Sequence, residues 1–158
     1  MQWCLKQKKG LRLEEPNPVL GREYLKKAQG SLNMLSAAIE REEEEWIATI
    51  AYYARYYAVY ALFQRCGIIS EIHDCTLSAF GCLFEGEGIT DKGLYEEIIL
   101  SKDNRIDAQY YVVDEMDVKR LKEDTEKARR FVLALEETLN RLSDETIEKV
   151  RQKLKSLL

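Results

Sequence analysis

The segment that most restricts the fold is EWIATIAYYARYYAVYALFQRC, residues 45–66. On a helical wheel of about 100° per residue, Tyr52, Tyr53, Tyr56, Tyr57 and Tyr60 fall within an arc of roughly 140°. Ala51, Ala54, Ala58 and Ala61 lie on the other side with Ile47 and Ile50, which leaves only a sector near Arg55 polar. A helix apolar almost all round belongs at the centre of a protein, with neighbours on several sides. The alanines let a neighbour come close, and the phenols supply bulk while needing partners at their hydroxyl tips. Tyrosines so placed suit a core and a subunit interface, or stacking on bases. The wheel puts Arg55 near solvent, so Ala58→Leu, which overpacks a close contact, is expected to cost more than Arg55→Leu. Gly67 closes the helix.

Around it the sequence reads as an antiparallel, up-and-down all-α bundle of about five to six helices. Residues 1–16 form an irregular arm in which Trp3, Leu11 and Leu13 can dock on the body. Asn17 caps a first long helix with Pro18 at its first position, and Leu25, Ala28, Leu32, Leu35 and Ile39 make one apolar stripe. The acidic run at 40–45 separates it from the central helix. Ser70 can cap a third helix, SEIHDCTLSAFGCLFE, and Thr90 a fourth that runs through LYEEIILSK. Val118, Leu121, Thr125, Ala128, Val132, Leu135, Leu139 and Leu142 then recur at spacings of three and four, a heptad seam for partner helices. Ser143 caps a last helix with Ile147, Val150, Leu154 and Leu157 inward. The run QYYVV is too short and isolated to build a sheet. The bundle proper is read as residues 17–142, with 143–158 a helix packed on it.

With 24 basic and 28 acidic residues the net charge is -4. No broad basic field attracts nucleic acid, so any RNA or nucleotide site has to be a local basic pocket. No apolar run approaches the roughly 20 residues that span a bilayer. The amino-terminal stretch lacks the apolar core of a signal peptide, and a cytoplasmic location is expected. Cys4, Cys66, Cys75 and Cys82 form no CxxC pair and there is one histidine, so neither a metal site nor a cofactor is expected. Cys75 and Cys82, two helical turns apart on one helix, lie beyond each other's disulfide reach and read as small, reduced, buried thiols.

The stretch KDNRIDAQYY, 102–111, reads as a connection between helical patterns and concentrates Arg105, Asp107, Tyr110 and Tyr111. Arginine offers phosphate a two-pronged donor. Asp107, two residues on, is expected to pair with a cation, Arg105 among them, and to fix the loop.

Three features together resemble the HEPN superfamily, in particular its small stand-alone prokaryotic proteins. They are EYLKKAQGSLNML at 23–35, the AYYARYYAVYALF helix followed by Ser70-x-x-His73, and Arg105-x-Asp107-Ala108-x-Tyr110. The resemblance covers roughly residues 19–140 and leaves the arm and the last helix as extensions. It implies a helical bundle that usually dimerises. It also implies a gene neighbour encoding a minimal nucleotidyltransferase, the two acting as toxin and antitoxin. Active members are metal-independent ribonucleases with an Arg-x(4–6)-His pair in a cleft between subunits.

Here the histidine position of that pair is taken by Tyr110, and a phenol, a far weaker acid than imidazolium, is a poor base at neutral pH. Two other residues are candidates for proton acceptor: Asp107, or His73 reaching the cleft from the third helix. The adenylylatable tyrosine of active members corresponds to Val112, so that modification is not carried over. The sequence therefore supports a nucleotide- or RNA-phosphate-binding domain using Arg105, Tyr110 and Tyr111, with Asp107 in support. The alternatives are a ribonuclease in which Arg105 works with Asp107, Tyr110 or His73, and a structural adaptor that dimerises through the heptad seam.

Overall fold

The computed structural model describes residues 1–110 and 118–158. Along the chain run α1 (Gln2–Leu5), β1 (Arg12–Leu13), α2 (Pro18–Glu40), α3 (Glu44–Cys66), β2 (Ile68–Ile69) and α4 (His73–Phe80). A π-helical turn, Gly81–Glu85, prolongs α4, and α5 (Leu94–Tyr110), α6 (Val118–Arg141) and α7 (Asp144–Leu157) complete the bundle. The fold is all-α, as the patterning requires. Among the described residues the one sheet is a two-residue antiparallel ladder, Arg12 opposite Ile69 and Leu13 opposite Ile68, which pins the arm beside the end of α3. The QYYVV run begins inside α5, and its remainder lies outside the described residues.

Helix α3 is the central helix, with α2, α4, α5, α6 and α7 all packed on it. Its alanines at 51, 54, 58 and 61 are buried. They admit α2 so closely that a Cβ at Gly21 would stand 3.0 Å from the carbonyl oxygen of Ala61. Leu25, Ala28 and Leu35 of the α2 stripe are buried as the periodicity demands. Three termini follow the sequence signals. The Asn17 side chain accepts from the Leu20 amide, Gly67 ends α3 in the left-handed region at φ 67°, and Ser143 accepts from the Thr146 amide. Thr90 does not cap α5: its buried hydroxyl has no hydrogen-bond partner among the described residues, and the Glu85 carboxylate instead accepts from the Tyr95 amide.

The α6 seam is buried from Thr125 through Ala128, Val132, Leu135 and Leu139 to Leu142; the side chains of Val118 and Leu121 lie outside the described residues. It lies against α3 and α2 of the same chain. A seam already covered inside the molecule has no free face for a second copy, which removes the basis for an adaptor dimerising through it. Ile147, Val150 and Leu154 of α7 are buried, whereas Leu157 is exposed.

The arm is tied down more firmly than its irregular sequence suggests. Leu11 is buried, but Trp3 points to solvent. Cys4 and Cys75 form a disulfide that joins the arm to α4 across 71 residues, with their Cα atoms 5.3 Å apart. The expectation of a reduced, buried thiol is therefore wrong for Cys75, because tertiary folding brings it against the distant Cys4. Cys66 and Cys82 are free, and burial pushes the Cys66 thiol up to about 12.

Arg55 overturns the wheel's assignment. Its side chain has no solvent exposure. Nε donates to Glu97 of α5 at 2.9 Å, and Nη2 donates to the Asp124 carboxylate of α6 at 2.7 Å and to its carbonyl at 3.1 Å. Nη1 donates to Ser101 at 3.2 Å and to the Ala51 carbonyl at 3.3 Å. The sector reads as polar, but α5 and α6 each bring a carboxylate over it. We predict that Arg55→Leu, which strands two carboxylates, destabilises by about 2–4 kcal/mol. That is below the loss for a fully buried pair, because Glu97 and Asp124 keep 26% and 20% of their side-chain surface exposed. Ala58→Leu should lose about 1–3 kcal/mol. Urea denaturation of the two variants checks the order, and a larger loss for Ala58→Leu would refute the importance of the buried guanidinium.

Candidate functional site

The stretch expected to be a connection is helical: Lys102–Tyr110 completes α5. Apolar periodicity stops near Leu100, but the inward face continues through Ser101, Arg105 and Gln109, each four residues from the last. These side chains find polar partners on α3 in place of apolar contacts. Ser101 accepts from Arg55, and the Gln109 amide donates to Thr49 at 3.2 Å. Gln109 in turn accepts from Arg105 Nε at 3.1 Å. A helix face can be inward without being hydrophobic, and hydropathy alone does not register it.

Arg105 lies partly buried on this face. Its guanidinium carbon sits 5.3 Å from the ring centre of Tyr52 and 5.5 Å from that of Tyr53, both on α3. Guanidinium over an aromatic face is attractive and leaves the in-plane N–H groups free to donate. Among the described residues no carboxylate pairs with Arg105 and its Nη groups make no hydrogen bond.

His73 opens α4 and packs against the same tyrosines. Its Nδ1 is 2.9 Å from the Tyr52 hydroxyl, and its ring stacks on Tyr56 with centroids 4.2 Å apart. The next residue, Asp74, forms an ion pair with Lys102 of α5, so α4 and α5 are fastened together beside the site. Burial lowers the His73 pKa, and the positive charge of Arg105 lowers it further. Burial also raises the Tyr52 hydroxyl well above the usual phenol range. Both groups are neutral at pH 7. Arg105 and His73, 32 positions apart by number, thus share Tyr52 and Tyr53 as common walls.

The other sequence candidates sit elsewhere. On a helix, a residue two positions on from Arg105 points about 200° away. Asp107 is accordingly exposed and makes no ion pair with Arg105, because the segment is helix and not the loop that would have let the two meet. Tyr110 is 74% exposed. Tyr111 lies outside the described residues. Tyr52, Tyr53, Gln109 and Thr49, which hold Arg105 directly or through one neighbour, were not singled out as site residues. The four-residue spacing Ser101, Arg105, Gln109 was the signal available for the last turn.

A cleft of about 340 Å³ between α5 and α6 is lined by Glu96, Glu97, Glu123, Asp124 and Lys127. Its carboxylates repel an anion, so the phosphate candidate is the Arg105 face. Among the described residues no cluster of His, Cys, Asp or Glu could hold a metal ion, and no helix is long and apolar enough to cross a membrane.

Because the folded pKa of His73 is depressed, the unfolded chain binds its proton first as pH falls, and the folded state loses stability from about pH 6.5 downward. Replacing His73 by Gln should flatten that part of the stability profile. Thermal unfolding of wild type and His73→Gln across this range checks the prediction, and identical slopes would count against it.

No curated protein matches the chain. The pattern of the HEPN domain family matches residues 22–155, taking in nearly all of α7, which the motif resemblance had left outside. With a central helix walled by α2, α5 and α6, and most of its length matched, the chain belongs to the HEPN domain family.

Proposed function

We propose that the protein binds the phosphate of a nucleotide or of RNA through Arg105, and that it works as a homodimer with a minimal nucleotidyltransferase as its toxin–antitoxin partner. Membership of the HEPN family supports a nucleotide- or RNA-related function. The observation that carries the reading is the state of Arg105. Tyr52 and Tyr53 support the guanidinium from one side, and Gln109 engages only Nε. The two Nη groups are the pair that grips a phosphate as a fork. A neutral His73 adds no competing negative charge, and with hydrogen on Nε2 it is a further donor.

A second reading, metal-independent RNA cleavage, draws on the same geometry. Attack of a 2′-hydroxyl on the adjacent phosphorus requires a base for the hydroxyl proton and a cation for the charge that builds on the phosphoryl oxygens. His73 can be that base when Nδ1–H donates to the Tyr52 oxygen and leaves the Nε2 lone pair free. When Tyr52 donates to Nδ1 instead, Nε2 carries the hydrogen and His73 binds without accepting a proton. The His73 tautomer therefore separates binding from turnover. Asp107 and Tyr110, exposed and turned from Arg105, are the weaker candidates for proton acceptor.

Titration with AMP, followed by calorimetry, tests the binding reading. Arg105→Ala should weaken binding by about ten-fold or more, the loss expected for hydrogen bonds to a charged group. Arg105→Lys should recover little of it, because an ammonium cannot reproduce the fork. Unchanged affinity in Arg105→Ala would overturn the assignment. In the ribonuclease reading, His73→Gln abolishes cleavage of RNA in EDTA while leaving AMP binding near wild type. A His73→Gln protein that cleaves normally removes histidine from that role.

A further inference from the structure

The tyrosine-rich side of α3 extends well past the Arg105 site. Tyr52 and Tyr56 are core residues, but Tyr53 and Tyr57, with Tyr24 of α2, are only part-buried. Their rings form a continuous series, Tyr52 to Tyr53 at 5.4 Å, Tyr53 to Tyr57 at 5.7 Å and Tyr57 to Tyr24 at 6.3 Å between centroids. A cation stands at each end. Arg105 is over Tyr53, and Lys27 of α2 places Nζ 5.3 Å from the centres of both Tyr24 and Tyr57.

Two features distinguish this strip from a packed core or an ordinary solvated face. Tyr60, next along, anchors its hydroxyl by donating to the Ser70 carbonyl at 2.8 Å, and Tyr56 pairs with Thr76. The hydroxyls of Tyr24, Tyr53 and Tyr57 make no hydrogen bond among the described residues. Lys26, pointing elsewhere on α2, is paired with Glu23, whereas exposed Lys27 has no ion pair among the described residues and rests on aromatic rings. Partly open rings between two cations that have no carboxylate partner among the described residues complement a chain that alternates flat bases with phosphates.

We infer that the strip from Arg105 across Tyr53 and Tyr57 to Lys27 is a track for single-stranded RNA, with Lys27 holding a second phosphate. The inference rests on the reading that Arg105 holds the first. A base that stacks on Tyr57 displaces the Lys27 ammonium from that ring and releases it to the neighbouring phosphate, so one cation–π contact is exchanged for a base stack and an ion pair. Bases in a duplex have no free faces to offer, so paired RNA is excluded from the track.

The test compares three probes on the intact protein by fluorescence anisotropy or calorimetry: AMP, a short oligouridylate, and a duplex of the same length. The single strand should bind at least about ten-fold more tightly than AMP and than the duplex. Tyr57→Ala should remove about five-fold or more of that advantage. Lys27→Ala should weaken the single strand alone and lower its salt slope by about one. Lys27 is a surface residue, so this variant stays informative even if Tyr57→Ala fails to fold. AMP binding that depends on Arg105, with a single strand no tighter and indifferent to Lys27, overturns the track and leaves the phosphate reading standing. Failure of AMP and RNA alike overturns both. A third outcome, in which Lys27→Glu splits a dimer in light scattering and leaves RNA affinity unchanged, assigns the strip to contact between copies of the chain and also overturns the track.

Discussion

A guanidinium with no access to water sits where three helices meet, and the site depends on it. Arg55 projects from α3 into the seam between α5 and α6, and takes a carboxylate from each. An uncompensated buried charge is among the most costly defects a fold can carry, so α5 and α6 are both held to positions that satisfy it. Ser101 joins the same network, and one turn further along α5 is Arg105. The buried arginine thereby sets the rotation of α5 that brings the second arginine over Tyr52 and Tyr53. Two arginines on opposite sides of one interface have opposite fates: one is fully matched, and among the described residues the other keeps its fork unpaired.

The tyrosines of α3 perform more than one task because a phenol is apolar along its body and polar at its tip. Tyr52 is fully buried yet meets His73 with its hydroxyl and Arg105 with its ring. Tyr56 fills core space and stacks on the imidazole. Tyr53 and Tyr57, rotated outward, show partly open rings to the surface. The same residue type thus serves packing, support of the candidate site and a surface, according to its angle on one helix. Around His73, low accessibility and the positive Arg105 both favour the uncharged imidazole, which is the form able to accept a proton.

Much of the architecture was legible from the sequence because it rests on short-range rules. Helix periods, the Asn17 and Ser143 caps, the Gly67 stop and the buried alanine face of α3 are local properties of the chain and appear where the patterns put them. Arg105 was legible as a candidate too, from its resemblance to a family motif. What was misread is polar. The last turns of α5 read as a loop because their inward face is Ser101, Arg105 and Gln109, and Arg55 reads as near solvent because its carboxylates come from residues 97 and 124. Both errors have one origin: apolar periodicity reports burial only where hydrophobic side chains provide it.

The sequence by itself determined that the chain is a helical bundle with a central Tyr/Ala helix, since turn signals and periodicity act over a few residues. Only the tertiary structure decided which polar groups meet. It joined Cys4 to Cys75, turned Asp107 away from Arg105, and brought His73 and Arg105 to two shared tyrosines. The reason is that pairing between distant charges, thiols and rings depends on the rotation and register of whole helices. No window of sequence contains that information, because it arises only when the helices are docked.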